Sequence, residues 1–139
     1  MASKKEVPLG SIPLFSELTA KELGQIRSLM TSVTVPAGTT LTREGQTGHD
    51  MLIIVSGNAT VSRGGQLLAT VGAGDFQGEI SLLDGGPRTA TVTATTEMEL
   101  LVATGQEFNA MLDKSPVLAR RMLPALARRI RALSLAPTH

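Results

Sequence analysis

The sequence predicts a mainly β fold with flanking helices, an antiparallel sandwich or barrel, and three observations predict it. Between Val33 and Ala103, short Val, Ile, Thr and Leu runs are cut by Gly or Pro at intervals of roughly eight to twelve residues, the texture of strands that keep returning on themselves. On either side of that stretch the apolar residues recur at helical spacing instead. The chain has 139 residues, 42% hydrophobic and 18% charged, which is enough to bury one core and too little for two. One domain is therefore expected over 1–139, with its core at about 12–134 and tails at 1–11 and 135–139.

Thr19-Ala-Lys-Glu22 has the form of a capping box, in which a hydroxyl and a carboxylate satisfy the free amides of a helix start. Leu23, Ile26, Leu29 and Met30 follow on one face, so the first helix is expected over 19–30. Strands are expected at 33–35, 39–43, 51–56, 59–63, 67–71, 89–94 and 98–103, with Arg63-Gly-Gly-Gln66 as a tight hairpin. Residues 106–112 read as a short helix. Ser115 is a good N-cap and Pro116 suits the first helical position; Leu118, Met122, Leu126, Ile130 and Leu133 then trace an apolar stripe over a helix at 116–133. That stripe serves as core or as the seam of a homodimer. Pro124 lacks an N–H and crowds the preceding turn, so a bend is expected there.

Several function classes are excluded early. The longest wholly apolar stretch, Met51 to Val55, is far too short for a bilayer span, and 1–10 has no apolar signal core, so a soluble cytoplasmic protein is expected, with no membrane partner. No cysteine is present, and the two histidines, His49 and His139, are distant in sequence, which removes thiolate and histidine metal sites. With three Phe and no Trp or Tyr, a base-stacking surface has little to use. Net charge is +1, but Lys114 to His139 carries +6 against −5 for the rest. Arg128, Arg129 and Arg131 in the last turns of a helix complement its macrodipole, a reading preferred over a nucleic-acid or acidic-partner patch.

The chemistry concentrates in 72–92. A one-turn helix at 79–83 is expected directly after Gly78 and closed by Asp84-Gly-Gly-Pro87; free amides at its start, with a Gly allowing close approach, make an anion cradle. Arg88 leads into the next strand nine residues after Glu79, where its guanidinium can fork onto two phosphate oxygens and Thr89 can add a hydroxyl donor. Glu79 opposes an anion unless it accepts from hydroxyls of the same ligand, and phosphate plus ribose answers that description. Gly72, Gly74 and Gly78 lack the spacing of a dinucleotide fingerprint. Ser81 lacks a nucleophile elbow and a histidine partner, and His49 reads as a solvated turn residue. No enzyme is expected.

Gly78-Glu-Ile-Ser-Leu-Leu83 followed by Arg88-Thr-Ala-Thr-Val92 resembles the phosphate-binding cassette of cyclic-nucleotide-binding domains. Ile12-Pro-Leu-Phe15, Val35-Pro-Ala-Gly38, Arg43-Glu-Gly45, Ile53-Ile-Val-Ser-Gly57 and Gln106-Glu-Phe108 extend the resemblance over about 12–134. The chain departs from the family at Gln77 and Leu52, where aromatic residues are common, and at Pro124. The resemblance implies an antiparallel jelly-roll barrel with an N-terminal helix, a short cassette helix and C-terminal helices. It implies a non-enzymatic sensor of cyclic AMP or cyclic GMP, without other cofactor or metal. Glu79 would accept from the ribose 2′-hydroxyl and Arg88 would pair with the phosphate. Gly78, Ala90 and the Thr89 hydroxyl would complete the cradle, with Ile80 and Ser81 in its wall. Leu133 and Ser134 fall at the family's base-capping positions near the end of the last helix. Thr89 permits cyclic GMP without excluding cyclic AMP. Occupancy would be relayed through the last helix to an effector protein or a homodimer partner at 116–133, and this chain alone would not read DNA sequence. The alternative is a domain of the same kind that has lost nucleotide binding and acts as a protein-interaction scaffold through its basic C-terminal helix; Glu79 and Arg88 count against it.

Overall fold

A computed structural model describes residues 9–78 and 86–135; for residues 11, 13, 125 and 129–135 it describes the backbone only. Two short 3-10 turns, Leu9–Ser11 and Pro13–Phe15, lead to helix α1 (Ala20–Arg27). Strands β1 (Thr31–Val35), β2 (Thr40–Thr42), β3 (Asp50–Ser56), β4 (Ala59–Arg63), β5 (Gln66–Val71), β6 (Phe76–Gln77), β7 (Thr91–Ala94) and β8 (Met98–Thr104) follow, and helices α2 (Gly105–Lys114) and α3 (Pro116–Leu135) end the chain.

The expected mainly β jelly-roll barrel requires correction. The described strands form two separate four-stranded antiparallel sheets, ordered β1-β8-β3-β6 and β2-β7-β4-β5, and among the described residues no pairing joins their edges into a closed ring. The edges are ill suited to closure: β6 has two residues, β2 has three, and β5 is exposed along nearly its whole length. The helices also hold about as many residues as the strands and pack on one face of β3, β6 and β8, so the architecture is mixed α/β.

The layering follows from the side chains of β3 and β8. Met51 and Ile53 of β3, with Leu101 and Ala103 of β8, face a core shared with Phe15, Ile26, Phe108, Met111, Leu118 and Met122 of the helical elements. Ile54, Met98 and Leu100 point the other way, onto Ala59, Val92 and Ala94 of the second sheet. Alternation on a strand buried on both faces produces an unbroken apolar run, which accounts for Met51 to Val55.

Local signals place the remaining elements. The capping box at α1 is present, with Glu22 N–H donating to Thr19 Oγ1 at 3.1 Å and Thr19 N–H donating to Glu22 Oε1 at 2.9 Å. Thr104 and Glu107 make a second box at α2, which the sequence reading did not include. Gly64 and Gly65 have φ of 59° and 79°, the pair of positive values that a two-residue turn needs, and Arg63 pairs with Gln66 as expected. Ser115 Oγ accepts from Leu118 N–H at 3.4 Å at the start of α3, and the helix is continuous across Pro124. The one-turn helix expected at 79–83 lies outside the described residues. Among the described residues, no helix is long and apolar enough to cross a membrane.

Glu22 closes the capping box of α1. Its carboxyl is held below the usual carboxylate range, first by the Thr19 backbone N–H and then by the hydroxyl of Ser115, which is fully buried. A depressed folded-state pKa gives stability that is complete above the ordinary carboxylate pKa and is lost as pH falls through the lower folded value. Glu22→Gln is therefore expected to melt below the parent at neutral pH, with the gap closing below about pH 4. A gap in melting temperature that stays constant across that range would refute the linkage.

Candidate functional site

The site is built where the chain after β2 folds back against 86–88. Arg88 N–H donates to the Gln46 carbonyl at 2.9 Å, Gly45 N–H donates to the Arg88 carbonyl at 2.9 Å, and Thr47 bridges Pro87. These contacts fix the Arg88 backbone, and its side chain then reaches across the site. Nη1 donates to the Gly78 carbonyl at 3.2 Å and Nη2 to the Asp50 carbonyl at 2.8 Å. Asp50 opens β3, and Gly78 follows β6, which pairs with β3 through Leu52 and Gln77. Adjacent strands thus present both carbonyls to one guanidinium, whose planar fork suits two acceptors side by side.

The guanidinium lies in a slot walled by peptide backbone. Gly78 has φ of 92°, and a Cβ there would meet Arg88 Nη1 and come within 2.6 Å of the Asp50 carbonyl oxygen. On the other wall, a Cβ on Gly48 would overlap Arg88 Nε and Cζ and lie 2.6 Å from Cδ. Beside the slot opens a cleft of about 430 Å³, within the usual range for small-molecule sites. It is lined by Thr40, Leu41, Thr42 and Arg43, by the loop from Gln46 to Asp50, and by Arg88. Thr42 is buried and donates through Oγ1 to the Ala90 carbonyl at 3.0 Å, fixing β2 against the segment after Arg88.

Of the residues singled out from the sequence, Gly78 and Arg88 are in direct contact. Thr89 is exposed beside them and Ala90 is half-buried. Glu79, Ile80 and Ser81 lie outside the described residues. Leu133 and Ser134 belong to the last turns of α3, and their side chains also lie outside the description. The sequence reading missed Gly48, the Asp50 carbonyl and the β2 wall; the close spacing of Gly45 and Gly48 was the available signal. His49, expected to be a solvated turn residue, is exposed and also lines the cleft, while its carbonyl accepts from Gly105 N–H at 2.9 Å.

The family model described as the cyclic nucleotide-binding domain matches residues 32–115, a span that contains Gly48, Asp50, Gly78 and Arg88. The chain belongs to the cyclic nucleotide-binding domain family. A cyclic nucleotide-gated potassium channel of Rhizobium etli is 37% identical over 122 residues, covering 87% of this chain and 34% of the channel. A cAMP-dependent protein kinase regulatory subunit of Yarrowia lipolytica is 35% identical over 112 residues, covering 79% of this chain and 29% of that one. The crystal structure of the Thermus thermophilus catabolite activator protein superposes with a TM-score of 0.79 at 30% identity, over 88% of this chain and 60% of that one. The chain thus spans about a third of the length of these two curated relatives. As a cyclic nucleotide-binding domain homologous to catabolite activator proteins and kinase regulatory subunits, it is a regulatory module of a non-catalytic family.

Proposed function

We propose that the domain binds cyclic AMP or cyclic GMP against Arg88 and relays occupancy through α3. The observation that carries this reading is the Arg88 guanidinium, oriented by the Gly78 and Asp50 carbonyls at the wall of a nucleotide-sized cleft. A cyclic phosphodiester is a monoanion, and a forked cation in a partly desolvated slot recognises its two free oxygens with geometric selectivity. In this reading Gly78, Thr89 and Ala90 complete the phosphate cradle, and Glu79 accepts from the ribose 2′-hydroxyl. Ile80 and Ser81 line the cassette, and Leu133 and Ser134 cover the base. Ligand contacts that differ between two positions of α3 shift the population between them. Exposed Arg120, Leu123 and Arg128 on that helix supply an output surface for an effector protein or a second copy.

Calorimetric titration with each nucleotide tests the proposal. Saturable heat with one site per chain is expected from at least one of them. Absence of heat with both would instead favour a scaffold acting through the basic helix.

A further inference from the structure

We infer that Gly48 is a positioning residue for Arg88: its missing side chain is the space through which the arginine passes to reach the Gly78 and Asp50 carbonyls. The inference rests on the proposed reading only where nucleotide affinity is the readout. The three atoms nearest to a Cβ at Gly48 all belong to the Arg88 side chain: Nε, Cζ and Cδ. Gly48 is not among the glycines with positive φ, so alanine meets no backbone strain there. The two walls of the slot therefore differ in kind. At Gly78 an added methyl strikes the Asp50 backbone as well as Arg88, in a conformation that L residues rarely adopt, and the fold itself resists it. At Gly48 the nearest obstacle is the arginine side chain, while the Arg88 backbone is held by Gly45 and Gln46.

Displacing the side chain leaves the charge in the cleft but loses its aim. The carbonyl at Gly78 and the carbonyl at Asp50 would release the fork together, since one rigid guanidinium serves both. Gly48 therefore controls the direction of the cation and leaves its presence unchanged.

The test compares Gly48→Ala with the parent and with Gly24→Ala, a helical site where a Cβ meets nothing within 4 Å. Melting temperature, cyclic AMP and cyclic GMP affinity, and the Arg88 side-chain N–H signals in NMR are read for each. Gly48→Ala is expected to lower affinity on the order of tenfold or more and to collapse the Arg88 N–H signals into the exchange-averaged pool. Its melting temperature should follow that of the parent, whereas Gly24→Ala should keep the parent's affinity and Arg88 signals with a melting temperature at or above the parent's, because Ala is favoured over Gly inside a helix. In an Arg88→Ala background, measured at millimolar nucleotide, Gly48→Ala should cause no further loss. Unchanged Arg88 signals, or an equal affinity loss in the Arg88→Ala background, would overturn the inference. If the parent gives no heat with either nucleotide, the functional proposal fails and the NMR comparison alone decides the role of Gly48.

Discussion

Arg88→Ala is expected to remove most of the affinity for cyclic nucleotide while leaving the fold intact. The side chain is half-buried, and its two described bonds end on carbonyl oxygens rather than on core residues, so the fold depends little on it. In the proposed reading, a phosphate in the cleft depends on it heavily. Truncating one partner of a desolvated, hydrogen-bonded charge pair costs about 2–5 kcal/mol, or roughly thirty-fold to several-thousand-fold in affinity. Arg88→Lys keeps the charge without the planar fork and should fall between the two. Calorimetry on the three proteins at one ionic strength checks the order, which must be Arg, Lys, Ala. Parent-like affinity in the alanine variant would place the anion elsewhere.

Phe108→Ala should give the largest loss of stability. The ring is 1% exposed and belongs to the core shared by α1, α2, α3 and the helix-facing side of β3 and β8. Removing a buried Phe costs about 3–5 kcal/mol, because the cavity persists when its walls belong to packed elements. For a domain of this length that corresponds to about 10–20 °C in melting temperature. Every helix described meets this cluster, so the variant should also lose α-helical circular dichroism cooperatively with the sheet signal. A drop under about 3 °C would show that the helices are not anchored through Phe108.

Much of this architecture could be read from residue order, for local reasons. Thr19 and Glu22 signal a helix start at a separation of three residues, and Gly64-Gly65 signals a turn within two. The Thr104 and Glu107 box has the same form as the first but went unread beside the strand signal of Met98 to Ala103. Barrel closure could not be judged in this way, since edge pairing joins segments far apart in the chain and depends on strand lengths that Gly and Pro only bracket. Phe76–Gln77 is too short to show any period. The run from Met51 to Val55 reflects burial on two faces, but apolar continuity alone does not distinguish a strand between layers from a helix segment. At the site, Arg88 and Gly78 were legible as a pattern within one stretch. Gly48 was not, because the side chain that needs its empty space comes from the far end of the sheet-forming region.

His49 and Asp50 carry one more implication. Consecutive carbonyls along an extended chain point to opposite flanks, and here one flank receives the Gly105 amide at the root of α2 while the other receives Arg88. Each carbonyl lies in its own rigid peptide plane, and the two planes are hinged at the Asp50 Cα like a jointed beam resting on two supports. A guest anion that takes a share of the guanidinium's charge lightens one support and changes the load on the other. Deuterium uptake at the Gly105 amide would register that tilt at a point the guest itself need not touch.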